Sequence, residues 1–151
     1  MHLDRLHCDA CGECTAACAT AGRTARIRVD RGAGGGIAAF FCRHCGRPLC
    51  AQVCPTASLA LGATGTVVAR PQRCLGCRMC LVACPNDAVF FDGAGKSDKC
   101  DLCFGSLRGT DRQPACVAAC TRGALRLVGL RHESAIRRGA AAAARQVAFR
   151  R

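Results

Sequence analysis

Sixteen cysteines in 151 residues constrain this chain more than any other feature. They fall into four groups: Cys8, Cys11, Cys14, Cys18; Cys42, Cys45, Cys50, Cys54; Cys74, Cys77, Cys80, Cys84; and Cys100, Cys103, Cys116, Cys120. Every group opens with C-x2-C and closes with C-x3-C. The third, followed by Pro85, reads C-x2-C-x2-C-x3-C-P. In such a run three close thiolates wrap one face of a compact inorganic group, while the fourth begins a segment leading away from it.

That run is the one by which ferredoxins hold cubane iron–sulfur clusters. Disulfides are the first rival, but they belong to secreted chains. The start MHLDR has no apolar signal segment, and no stretch reads as a membrane span. Zinc is the second rival, because C-x2-C recurs. Zinc sites bring their cysteines in pairs with long spacers, whereas only the fourth group has one, between Cys103 and Cys116. Four [4Fe-4S] clusters are the expected cofactors. A zinc-stabilised module for binding protein or nucleic acid is the alternative.

Half the residues count as hydrophobic, yet 28 are Ala and 16 are Cys, and Trp and Tyr are absent. Apolar burial contributes only about 25 cal/mol per Å², so ligation must supply much of the ordering. The apo chain is expected to be largely unfolded. Four oxidised cubanes with their thiolates would lower the formal charge of +12 to about +4. The basic excess thus offsets cluster charge or keeps the surface solvated. Nucleic-acid binding is not expected, since two of the usual stacking residues are missing.

The chain also repeats itself. CPTASLAL follows from Cys54, CPNDAVFF from Cys84 and CTRGALRLV from Cys120. Each reads as a tight helical turn leading into a short strand. The longer tail after Cys18 ends in alternating Ile27 and Val29. Gly32 to Gly36 then turns the chain into Ile37 to Phe41, giving a hairpin rather than a dinucleotide fingerprint. Leu59-Ala60-Leu61 and Val67-Val68-Ala69 predict a second hairpin. Residues 129–151 lack cysteine, carry Ala140 to Ala144 and six arginines, and read as a basic helical tail that docks on the body or a partner, or else frays.

Four groups pair naturally either as one-with-two and three-with-four, or as a nested scheme. Groups two and three both end in Cys-Pro, at Pro55 and Pro85, while groups one and four continue with Ala19 and Thr121. That punctuation favours nesting. The ordered series, with C-x2-C-x4-C-x3-C-P second and C-x2-C-x12-C-x3-C fourth, resembles the four-cluster ferredoxin-type iron–sulfur subunits. Those stand beside molybdopterin or tungstopterin oxidoreductases, formate hydrogenlyase-type hydrogenases and carbon monoxide dehydrogenase. The match spans roughly Cys8 to Val128.

The resemblance implies an α+β fold of two tandem dicluster ferredoxin modules, with short hairpins and helices around the clusters. An outer lobe (1–31 plus 97–128) would enclose an inner lobe (32–96), with 129–151 as the tail. It also implies four ligand sets: Cys8, Cys11, Cys14 and Cys120; Cys18, Cys100, Cys103 and Cys116; Cys42, Cys45, Cys50 and Cys84; and Cys54, Cys74, Cys77 and Cys80. Thr121 departs from the proline common at that place, which puts the local turn in question.

Arg43, Arg47, Arg73, Arg78, Lys96 and Lys99 lie near ligands. They either raise local potentials or are solvated loop charges. His44 is a donor to sulfur or to a partner carboxylate, or more simply an exposed loop residue. Met79 reads as packing against the cluster shell. No nucleophile–base pair, phosphate loop or C-x3-C-x2-C radical motif stands out, so a non-catalytic electron relay is expected. The resemblance implies a large catalytic redox subunit on one side and a soluble carrier or flavoprotein on the other. Absent signal, twin-arginine and membrane segments point to the cytoplasm; direct membrane insertion is not expected, and self-association is possible.

Overall fold

The computed structural model describes residues 1–19, 24–62, 65–103 and 113–128. The expected basic helical tail lies outside the described residues. Among the described residues the fold is α+β, built from four two-stranded antiparallel ribbons and four short α-helices.

β1 (His2–Leu3) pairs with β8 (Leu125–Arg126), so the start of the chain closes on the tail of the fourth cysteine group. β2 (Ile27–Arg31) and β3 (Ile37–Phe41) form the predicted hairpin through the glycine turn, with Ile27 opposite Phe41. Ile27 and Val29 point inward and Arg28 outward, as a half-buried strand requires. Gly35 supplies the left-handed residue at φ +77°. β4 (Leu59–Leu61) and β5 (Val67–Ala69) make the second predicted hairpin. β6 (Phe90–Phe91) and β7 (Ser97–Asp98) make a third, whose turn Asp92 ties by accepting from the amides of Ala94 and Lys96.

Each helix carries the third cysteine of its group: Cys14, Cys50, Cys80 and Cys116. α1 (Glu13–Cys18) packs on α4 (Ala115–Ala118), and α2 (Leu49–Gln52) packs on α3 (Met79–Ala83). In groups two to four the helical turn comes before the last cysteine, not after it as the repeat suggested. Beyond that cysteine lies a hydrogen-bonded turn: Ala57 N–H donates to Cys54 O, Asp87 to Cys84 O and Gly123 to Cys120 O. Each donor has positive φ, at 51°, 45° and 60°. Proline after the cysteine stops the helix in two of these places. At the third, Thr121 leaves the turn intact and donates its hydroxyl to Glu13 of α1 at 2.9 Å.

Two apolar clusters result. One gathers Leu3, Ile27, Val29, Phe41, Ala124 and Leu125 with Cys14, Cys42, Cys100 and Cys116. The other gathers Leu59, Val67 and Val89 with Cys50 and Cys80. Cysteine is therefore core material in both. Among the described residues no helix is long and apolar enough to cross a membrane.

Candidate metal centres

The residue two beyond the first cysteine of every group is left-handed: Ala10 (φ 57°), His44 (46°), Gly76 (73°) and Leu102 (56°). This conformation folds the C-x2-C loop back on itself. The amides of His44, Gly76 and Leu102 then donate to Cys42 Sγ at 3.3 Å, Cys74 Sγ at 3.3 Å and Cys100 Sγ at 3.4 Å. More amides reach the closing cysteines: Arg26 to Cys18 at 3.2 Å, Ala88 to Cys84 at 3.4 Å and Leu125 to Cys120 at 3.3 Å. Donors aimed at sulfur favour the thiolate, the form that ligates iron.

One cavity is lined by Cys42, Cys45, Cys50, Cys84 and Lys99, combining group two with the last cysteine of group three. A second is lined by Cys8, Cys11, Cys14 and Cys120, combining group one with the last cysteine of group four. Among the described residues no three His, Cys, Asp or Glu side chains close on a single metal ion. These thiols ring a space instead, a donor set that fits a sulfur-bridged iron cluster.

Of the remaining cysteines, Cys18, Cys100, Cys103 and Cys116 act on one another electrostatically, and so do Cys80, Cys54 and Cys74. Burial pushes the Cys116 thiol up to about 12, and Cys18, Cys103 and Cys14 act in the same direction. Burial likewise pushes Cys100 up to about 12, aided by Cys42, Cys116 and Cys18. Cys80 is raised by burial and then by Cys54 and Cys74. Burial also works on Cys54 and Cys74, but hydrogen bonds outweigh it and hold both below the usual thiol value: at Cys54 from the Leu59 backbone and Thr56, at Cys74 from Ser97 and the Gly76 backbone. Cys11 and Cys77 are exposed.

The side chains near the ligands divide sharply. Arg43 lies over the Phe41 ring at 4.9 Å and Arg78 over the Phe91 ring at 5.6 Å. Lys96 Nζ donates to Cys74 O at 2.8 Å. Lys99 is not a solvated loop charge: it is 3% exposed, and its Nζ donates to Ala88 O at 3.1 Å. Burial pulls the Lys99 pKa down, but Cys42, Cys50 and Cys84 outweigh it and the net shift is upward. His44 is buried rather than exposed, and its Nδ1 accepts from the Val67 amide at 3.0 Å. Met79 is half exposed.

Sequence reasoning passed over Arg26, which is buried, bridges Asp98 at 2.9 Å and Asp101 at 3.1 Å, and sits beside Cys18. Nothing local marked it, since its carboxylates come from the fourth cysteine group and the strand before it.

Short hairpins, short helices and cysteine-lined cavities define a ferredoxin-like iron–sulfur protein. Residues 36–130 match the 4Fe-4S dicluster domain family, and the chain belongs to that family. It is 41% identical over 85 residues to the B subunit of anaerobic dimethyl sulfoxide reductase from Haemophilus influenzae, a match covering 56% of this chain and 41% of that protein. It is 34% identical over 126 residues to an uncharacterized ferredoxin of Methanocaldococcus jannaschii, covering 83% and 70%. It is 31% identical over 152 residues to the thiosulfate reductase electron transfer subunit of Salmonella typhi, covering 91% and 79%. The chain thus spans less than half the length of the Haemophilus relative. The family match takes in the second, third and fourth cysteine groups, and the first lies before it.

Proposed function

We propose that this chain is a non-catalytic electron relay holding four [4Fe-4S] clusters within a larger oxidoreductase. The observation that carries this reading is the pair of cavities, each lined by four thiols that combine one group with the closing cysteine of another. The ligand sets are Cys8, Cys11, Cys14 and Cys120; Cys18, Cys100, Cys103 and Cys116; Cys42, Cys45, Cys50 and Cys84; and Cys54, Cys74, Cys77 and Cys80. The proximity of Cys18 to Cys103 and Cys116, and of Cys80 to Cys54 and Cys74, supports the second and fourth sets. A [4Fe-4S] cluster supplies one-electron chemistry at each site.

The nested lobes follow from the same pairing. α1 packing on α4 and β1 pairing with β8 support an outer lobe of 1–31 plus 97–128; α2 packing on α3 supports an inner lobe of 32–96. The closeness of Cys14 to Cys116 and of Cys100 to Cys42, and the core shared by Cys50, Cys54, Cys80 and Cys84, support a linear order of sites. Exposed Cys11 and Cys77 then stand at the two ends, where electrons enter and leave.

The partners proposed are a large catalytic redox subunit of molybdopterin, tungstopterin, hydrogenase or carbon monoxide dehydrogenase type, and a soluble carrier or flavoprotein. The names of the dimethyl sulfoxide reductase and thiosulfate reductase relatives support the first. The proposed location is the cytoplasm. Reductive titration of the anaerobically purified chain tests the relay: uptake of about four electrons per chain, reversible on reoxidation, is expected. A chain that takes up no electrons would rule it out.

A further inference from the structure

We propose that Lys99 sets the reduction potential of the site lined by Cys42, Cys45, Cys50 and Cys84, holding it above the value these thiolates would give alone. The inference rests on the ligand assignment above. Lys99 lines that cavity with all four cysteines and is almost fully buried. Its Nζ is fixed by the Ala88 carbonyl, two residues before the short strand that follows Cys84. Among the described residues its ammonium pairs with no carboxylate. The neighbouring Asp98 is already engaged by Arg26.

Each electron added makes a four-thiolate cluster site one unit more negative. A fixed positive charge beside it therefore favours the reduced state. Burial decides which cations matter, because salt screens exposed charges but reaches an enclosed one much less. Arg43 lines the same cavity but is only partly buried, lying over the Phe41 ring; Arg78 lies over the Phe91 ring, and Lys96 is held by the Cys74 carbonyl. Arg26 is buried, but Asp98 and Asp101 neutralise it. Of these cations Lys99 is the one that is buried, lines a cysteine cavity and has no carboxylate partner among the described residues.

The test is a potentiometric titration followed by electron paramagnetic resonance on the anaerobically purified full chain, with iron and sulfide assayed in every sample. Lys99→Gln removes the charge and keeps a donor for Ala88. It is expected to retain wild-type iron and sulfide while one reduction step loses at least tenfold in equilibrium constant, about 59 mV downward for one electron. The other steps are expected to stay within about threefold, as are all steps in Lys99→Arg. The displaced step is expected to be the one that Cys45→Ser removes. A loaded Lys99→Gln protein with every step within about threefold of wild type overturns the proposal. If Lys99→Gln does not load, Lys99→Arg decides: loading with wild-type steps supports the need for charge, and failure to load assigns Lys99 to packing alone. Displacement of a step that Cys45→Ser leaves intact refutes the ligand assignment. A wild-type chain without iron refutes the relay itself.

Discussion

Ala10, His44, Gly76 and Leu102 share one backbone conformation although only one of them is glycine. A left-handed backbone costs a non-glycine residue about 1–2 kcal/mol. At His44 and Leu102 that cost is offset by amides that reach sulfur. Gly76 is different, because a Cβ there would lie 3.2 Å from the Gly95 carbonyl. Gly76→Ala is therefore expected to lower stability by about 1–2 kcal/mol or more, read from thermal unfolding of the loaded protein; an unchanged midpoint would show that the C-x2-C loop can relax. Arg26 carries a second prediction. Arg26→Ala strands Asp98 and Asp101, partly buried, beside the Cys18 site. The expected loss is about 3–5 kcal/mol, with iron released earlier on heating, and a shift below about 1 kcal/mol would contradict a structural role. None of this was readable in order along the chain. The left-handed positions carry four different residue types, and the carboxylate partners of Arg26 are far from it in sequence.

Two of the hairpins, by contrast, were legible. Alternating Ile27 and Val29, the glycine turn and the Leu59 and Val67 runs each carry a local signal, and the strands form where that signal lies. Helical turns were placed one step late because a small residue before a short apolar run suits a helical turn as well as a hydrogen-bonded one, while Pro55 and Pro85 stop the helix at the cysteine. The structure uses those tails as hydrogen-bonded turns that bring the next amides back to sulfur. Leu59 is 1% exposed and anchors the core that includes Cys50 and Cys80. Leu59→Ala is expected to destabilise the loaded protein by about 2–5 kcal/mol. The signals of the sites formed by the second and third cysteine groups should be the first to broaden on warming. If all signals fade together, the two apolar clusters do not melt separately.

For the molecule as a whole, cysteine replaces much of the apolar side-chain volume that a chain this size would otherwise bury, and four of the buried thiols sit in the larger cluster. Removing iron with a chelator under reducing conditions should therefore erase most of the circular dichroism. Retention of the native spectrum would mean that the apolar contacts suffice. The charge account points the same way: a chain of formal charge +12 is expected to migrate as a much less basic protein once loaded. All of these expectations depend on the thiols gripping sulfur-bridged iron. The most direct test is to purify the chain with oxygen excluded and assay its metal and acid-labile sulfide. About sixteen iron and sixteen sulfide per chain are predicted, and a colourless protein holding zinc and no sulfide would contradict the account.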